Sequence, residues 1–238
     1  MDINRLNKPH EIDVLLANKV ADYIQEKPDI NLGLATGSTY IGFYQTCVDL
    51  LKNKKMDIRS LKTFNLDRYY NQSIEDDSSF EAFMHQYFFD PLKIHEDQIH
   101  FPYFQNDEDY GRYDTIIEMA GGLDVILLGI GVNAHIAFNE PGTPFTSKTH
   151  KIELAPSTID SNKEFFNGHE SIPKEAVTMG ISTILNAKKI ILVAKGENKA
   201  QAIHDMIHAP ISESVPATAL RLHENVEVYV DKEAGSLI

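Results

Sequence analysis

Val125-Ile126-Leu127-Leu128-Gly129-Ile130-Gly131-Val132-Asn133-Ala134-His135-Ile136-Ala137-Phe138-Asn139-Glu140-Pro141-Gly142 is the stretch on which the fold turns. Its first residues are wholly aliphatic and bounded by Gly, so Val125 to Leu128 reads as a short strand buried on both faces. A Gly-x-Gly bend follows, and then a polar tract that gathers Asn133, His135 and Glu140. An aliphatic strand that ends in a tight turn carrying polar side chains fits the carboxyl edge of a parallel α/β sheet, where such sheets bind ligands.

The same grammar recurs on both sides. Ile12, Leu15, Leu16, Val20 and Ile24 recur at helical spacing from His10 to Glu26, and Pro28 stops that helix. Ile30 to Ala35 reads as a strand, Thr36-Gly37-Ser38-Thr39 as a turn, and Tyr40 to Leu51 as a helix with Ile41, Tyr44, Val48 and Leu51 inward. Strand Leu61 to Leu66 follows, then a helix from Ser79 to Phe89 closed by Pro91 and one from Asp107 to Ala120 closed by Gly121-Gly122. Beyond the central tract come strand Ile190 to Ala194, helix Glu197 to His208 and an alternating strand around Val226 to Val230. Aliphatic runs separated by helices predict a doubly wound α/β architecture, a mostly parallel, Rossmann-like sheet with helices on both faces. No repeat or Pro/Gly/Ser linker divides the chain, so residues 1–238 are expected to form a single domain.

The chain's 22 Lys and Arg against 35 Asp and Glu leave a formal net charge of −13. That balance argues against a surface that binds DNA or RNA by neutralising phosphates. One small phosphate is a different matter, since a Gly turn and one Lys suffice locally. Cys47 is the only cysteine and cannot close an internal disulfide, in keeping with a reduced, cytoplasmic setting. The longest apolar stretch, Val125 to Val132, is too short to span a bilayer, and Met1-Asp2-Ile3-Asn4-Arg5 lacks a signal-peptide pattern. The expectation is a soluble cytoplasmic protein with no membrane and no nucleic acid among its partners.

Three strand ends carry candidate chemistry. In Thr36-Gly37-Ser38-Thr39, a Gly and three hydroxyls stand before a helix N-terminus, where unpaired N–H groups and the helix dipole attract an anion. Helix capping by Ser38 or Thr39 is the commoner use of such residues, and the turn matches neither G-x-G-x-x-G nor the Walker pattern. Asp67, in Asn65-Leu66-Asp67-Arg68-Tyr69, would sit at the carboxyl edge of its strand, where a carboxylate can accept a proton; alone it would read as a turn residue. His135 with Glu140 and Asn133 forms the third group, because a carboxylate fixes the tautomer of an imidazole and stabilises its charged form. Lys199 falls in the first turn of a helix, against the dipole preference there, a placement that serves an anion. His204 and His208 stand four apart on a helix without a third ligand and read as a solvated face, while His95 and His100 read as surface loop residues.

Together these segments resemble the glucosamine-6-phosphate deaminase (isomerase) family, whose members carry T-G-[GS]-[TS], N-[ML]-D-E-Y and G-[IV]-G-x-[DN]-G-H-I-[AG]-F-N-E-P. The likeness covers nearly the whole chain and includes Thr158 to Phe166, Thr178-Met179-Gly180 and Val215-Pro216-Ala217. His135-Ile136-Ala137-Phe138-Asn139-Glu140-Pro141 separates it from the related 6-phosphogluconolactonases, which continue after the His with a T-A-S-L-F-P type of sequence. The resemblance implies an α/β fold of the deaminase/isomerase type and an enzyme of amino-sugar catabolism. Its reaction would convert glucosamine 6-phosphate and water to fructose 6-phosphate and ammonia, with neither metal nor organic cofactor. It further implies that Asp67 is the enolisation base and that His135 opens the sugar ring, supported by Asn133 and Glu140. Thr36, Gly37, Ser38, Thr39, Gly129 and Lys199 would bind the amino-sugar phosphate.

Some positions depart from the family pattern. Arg68 stands where Glu follows the Asp, Ala134 where Gly precedes the His, and Glu164 where many members have a phosphate-binding Arg; Asn133 replaces an Asp of some members. Lys163 or Arg68 is the expected compensating cation. The departures leave galactosamine 6-phosphate, yielding tagatose 6-phosphate, as an alternative substrate. A non-catalytic sugar-phosphate-sensing domain is the alternative of another class, although no basic helix-turn-helix segment precedes the first strand. The family's hexamers build an activator site from a C-terminal extension and basic residues beyond the Glu-Pro motif. Here the chain ends at Ile238 and has His150 and Ile152 in that region, so weak or absent allostery and a monomer or small homo-oligomer are expected.

Overall fold

Short aliphatic strands alternating with helices form two sheets in the computed structural model, which describes residues 1–73, 76–102, 109–166 and 173–238, without the side chains of residues 164 and 165. The strands are β1 (Asp2–Arg5), β2 (Asn31–Leu34), β3 (Lys62–Asn65), β4 (Asp67–Tyr69), β5 (Ile99–His100), β6 (Val125–Leu128), β7 (His150–Glu153), β8 (Glu175–Thr178), β9 (Ile190–Ala194) and β10 (Val226–Val230). The α-helices are α1 (Pro9–Glu26), α2 (Ser38–Asn53), α3 (Phe80–Met84), α4 (Asp90–Leu92), α5 (Arg112–Met119), α6 (Pro156–Asn162), α7 (Ile181–Leu185) and α8 (Ala200–His208).

Seven strands make a parallel sheet in the order β1-β10-β9-β6-β2-β3-β5. From β2 the chain winds outward to β3 and β5, then returns to β6 on the other side and winds away to β9 and β10. That reversal makes β2 and β6 neighbours at a topological switch point, where a crevice opens beyond their carboxyl ends. β2, β6 and β9 are buried along their whole length, as strands covered on both faces must be. The doubly wound α/β expectation is therefore what the chain adopts.

The second sheet is antiparallel, in the order β4-β8-β7, and no periodicity in the sequence announces it. It corrects the placement of Asp67, which lies just beyond β3 but opens β4 instead of ending a strand. A separate apolar cluster of Tyr69, Phe80, Phe138, Leu154, Phe166 and Ala176 packs this sheet onto α3 and the loop after β6.

Other boundaries differ for local reasons. The helix expected to stop at Phe89 runs through Leu92, with Pro91 inside it, because a π turn at His85–Phe89 precedes the proline. The wider turn relieves the clash that a proline ring makes with the carbonyl four residues back. Asp107, the expected start of the next helix, lies outside the described residues. His100 is not a surface loop residue: it belongs to β5, is half-buried, and stacks on Phe64 with ring centroids 4.6 Å apart.

Candidate active site

A cavity of about 760 Å³ occupies the crevice between β2 and β6. Its floor comes from the strand ends, at Ala35 to Thr39, at Leu66 and Asp67, and at Gly129 to Val132. Its walls are helical, with Phe83, Gln86 and Tyr87 from α3 and the π turn on one side and Asp160, Ser161 and Asn162 from α6 on the other.

At one end lies the turn into α2. Gly37 takes the N-cap position with φ 99°, a conformation open to glycine and strained for other residues, and no side chain caps the helix. The structure thus departs from the capping use of Ser38 and Thr39. Among the described residues, the hydroxyls of Thr36, Ser38 and Thr39 make no hydrogen bond within the chain, and all three line the cavity. Tyr40 N donates to Gly37 O at 3.0 Å, while the N–H groups of Ser38 and Thr39, at the start of the helix, have no intrahelical partner and are free for an anion. Lys199 lines the same cavity from a 3-10 turn that leads into α8; it is half-buried, and its ammonium makes no hydrogen bond or ion pair among the described residues. Burial lowers the pKa of its ammonium from the ordinary value.

The expected compensating cations are elsewhere. Arg68 is buried and directed to Glu81, with Nη2 3.1 Å from Oε1, and lines no part of the cavity. Lys163 is exposed and pairs with Asp160 at 2.5 Å. The side chain of Glu164 lies outside the described residues. The second cation on the cavity wall is Lys195, which the sequence did not single out and which no local motif marks.

Asp67 is 7% exposed and faces the cavity from the start of β4, in register with Thr178 of β8. No hydrogen bond or ion pair among the described residues holds its carboxylate. Burial without compensation pushes its pKa up to about 7.

His135 is presented by the loop after β6. Ala134 and Ala137, at φ 63° and 49°, bend the chain through the left-handed region on either side of it. That conformation explains the family preference for Gly before the His, and an Ala in its place costs roughly 1 kcal/mol. Gly131 has a different reason: a Cβ there would lie 2.3–2.4 Å from the imidazole, so only Gly lets the ring lie against the chain. Nδ1 is 3.2 Å from Thr158 Oγ1 and 3.5 Å from Glu140 Oε2, which leaves Nε2 for the cavity.

Asn133 and Glu140 do not line the cavity; they stand behind the imidazole. Asn133 Nδ2 donates to Glu140 Oε2 at 2.7 Å, and Ala155 N donates to Oε1 at 3.1 Å. Burial acts to raise the Glu140 pKa, but the hydrogen bond and charge of His135, with hydrogen bonds from Thr158 and Asn133, outweigh it and hold the group at about 2. Thr158 joins the site from α6, across a sequence gap that no local pattern spans.

The loop is stapled to the small sheet. Phe138 N donates to Thr178 Oγ1 at 3.0 Å, Asn139 Nδ2 donates to Met179 O at 2.9 Å, and Met179 N donates to Leu66 O at 2.7 Å. One short strand thereby ties the carboxylate of Asp67 to the imidazole of His135. A lone basic carboxylate, an imidazole backed by a fixed negative charge and an anion pocket in one cavity can abstract a proton next to a carbonyl or imine and move protons on oxygen.

The chain is similar to known proteins along nearly its whole length. The family model for glucosamine-6-phosphate isomerases/6-phosphogluconolactonase matches residues 10–229. A glucosamine-6-phosphate deaminase of Thermoanaerobacter sp. (strain X514) is 42% identical over 231 residues, covering 96% of this chain and 91% of its own. One of Clostridium botulinum (strain Alaska E43 / Type E3) is 44% identical over 230 residues, covering 94% and 92%. Among solved structures, a monomeric glucosamine-6-phosphate deaminase superposes with a TM-score of 0.96 at 39% identity, over 100% of both chains. The chain belongs to the glucosamine-6-phosphate isomerase/6-phosphogluconolactonase family.

Proposed function

We propose that this protein is a hexosamine-6-phosphate deaminase that converts glucosamine 6-phosphate and water to fructose 6-phosphate and ammonia. The observation that carries the reading is Asp67: a buried carboxylate with no partner among the described residues, raised to about 7, in the cavity that also holds His135 and the open anion turn. A general base works best with a pKa near the operating pH, and burial supplies that here.

The phosphate is read into the Thr36–Thr39 turn, facing Lys199, where it orients the reacting carbons from a distance. His135 moves a proton from the anomeric hydroxyl to the ring oxygen and opens the sugar, its imidazolium stabilised by Glu140. Ionised Asp67 takes the proton from C2 and returns it to C1, while O1 gains a proton and the nitrogen gives one up, so the C1 aldehyde becomes an alcohol and the C2 amine an imine. Water adds to C2, the C–N bond breaks, ammonia leaves, and a C2 ketone remains. The relative described as monomeric supports a monomeric state for this chain. The unpaired cysteine and a phosphorylated substrate, which a bilayer retains, support a cytoplasmic setting.

Ammonia release and fructose 6-phosphate formation by the purified protein test the proposal. With glucosamine 6-phosphate we expect kcat/KM of about 10⁴ M⁻¹s⁻¹ or more, and at least about tenfold less with the galactosamine epimer. A tenfold preference the other way assigns the galactosamine reaction. Tight binding of either sugar without ammonia release turns the chain into a sensing domain.

A further inference from the structure

Lys195 lies just beyond β9 on the cavity wall, and the reaction described above gives it no part. Its Nζ is 2.5 Å from Asp13 Oδ1 on α1 and donates at 2.6 Å to the carbonyl oxygen of Thr39, in the first turn of α2. The two charged side chains are 14% and 10% exposed. α1 and α2 also approach closely at this point, since a Cβ on Gly42 of α2 would lie 2.4 Å from Asp13 Oδ2. Three elements that are distant in sequence therefore meet at one ammonium directly behind the anion turn.

A buried ion pair is a weak source of net stability, because desolvating both charges offsets most of their attraction. What such a pair does well is define position. The Thr39 carbonyl belongs to a helical turn and already has a backbone partner to accept, so the bond from Lys195 fixes the orientation of a turn that would form without it. That turn carries the unbonded hydroxyls of Ser38 and Thr39. Holding it in place before the ligand arrives removes an ordering cost from binding.

We propose that Lys195 and Asp13 form a clamp that positions the N-terminal turn of α2 for the phosphate group of the substrate. Lys195 is a positioning residue: it acts through the Thr39 carbonyl and stays paired with Asp13, while Lys199 is the cation that meets the phosphate. The inference rests on the reading of the Thr36–Thr39 turn as the phosphate site.

Lys195→Met alone would leave Asp13 charged and unpaired in the interior, so the test uses the double variant Lys195→Met/Asp13→Asn. Gly42→Ala is a second, independent variant, whose methyl group displaces the Asp13 carboxylate without touching the cavity. Calorimetric titration with inorganic phosphate is run beside steady-state kinetics with glucosamine 6-phosphate. In both variants the phosphate Kd and the KM are expected to rise together by about tenfold, with kcat within about threefold, because Asp67 and His135 are untouched. A drop in kcat with an unchanged phosphate Kd is what a merely structural role gives, and it overturns the clamp. Unchanged Kd and KM in the double variant overturn it too. If wild-type protein releases ammonia but shows no saturable phosphate binding, the phosphate site itself falls and the clamp falls with it.

Discussion

Asp67 and Glu140 are carboxylates of one site, 7% and 6% exposed, and they hold their protons in opposite ways. Glu140 is surrounded by donors, from Asn133, from the backbone of Ala155 and from the His135 pair, and stays ionised down to about pH 2. Asp67 has none of these and is held at about 7. Similar exposure thus goes with unequal basicity: Asp67 is the more deeply desolvated of the two and lacks the donors that surround Glu140. On the proposed reading, one carboxylate is a permanent charge that supports an imidazole and the other a base that takes up a proton and gives it back.

The most direct way to break the contrast is Asp67→Asn, which keeps the shape and removes the base. Turnover of glucosamine 6-phosphate should fall about 10³-fold or more, with phosphate binding retained, since a positioned base contributes roughly 10²–10⁴. Ammonia release within tenfold of the parent would show that the proton at C2 goes elsewhere.

The same substitution sharpens the contrast through stability. The folded protein binds the Asp67 proton up to about pH 7, whereas the unfolded chain loses it near the ordinary carboxylate value. Between about pH 4 and 7 the folded state therefore holds more protons than the unfolded one, and stability from this group declines as pH rises through that window. Asp67→Asn should match wild type below pH 4 and exceed it by roughly 2–4 kcal/mol at pH 8 in denaturant titrations. A gain that does not depend on pH would mean that the carboxylate is not the source.

Glu140→Gln should have a smaller kinetic effect, about tenfold to a hundredfold on kcat, with a displaced pH–rate profile, because His135 Nδ1 keeps Thr158 but loses its counter-charge. Its stability effect has the opposite sign to that of Asp67. A depressed carboxylate stabilises above the ordinary value and stops doing so as pH falls toward 2, so the variant should be less stable at neutral pH and converge on wild type in acid. An unshifted pH–rate profile would remove Glu140 from the support of His135.

Much of this was legible along the chain because it is local. β6 runs from Val125 to Leu128 as its aliphatic run suggests, and the turn before α2, Asp67 and the His135 loop are contiguous segments at strand ends. What escaped notice is non-local. β4 and β8 are three or four residues long and pair across more than a hundred positions, so neither carries a periodicity of its own. Thr158 and Lys195 become part of the site only when α6 and β9 are brought against it. Arg68 pairs with Glu81 of α3, inside a helix that the sequence does announce, but no pattern along the chain shows that the two side chains meet. The raised pKa of Asp67 likewise comes from burial by segments distant in sequence, which no motif around Asp67 records.

The stapling of the His135 loop to β8 separates two tasks within the molecule. Asp67 pairs with Thr178 in the backbone ladder, and the hydroxyl of Thr178 holds the backbone of Phe138. The gap between base and imidazole is therefore set by a single strand, much as two tools share one rail. Phe83, Gln86, Tyr87 and the α6 residues Asp160 to Asn162 form the side walls from elements outside that rail. On the proposed reading, side walls built this way can change, and with them the sugar admitted, without moving Asp67 relative to His135.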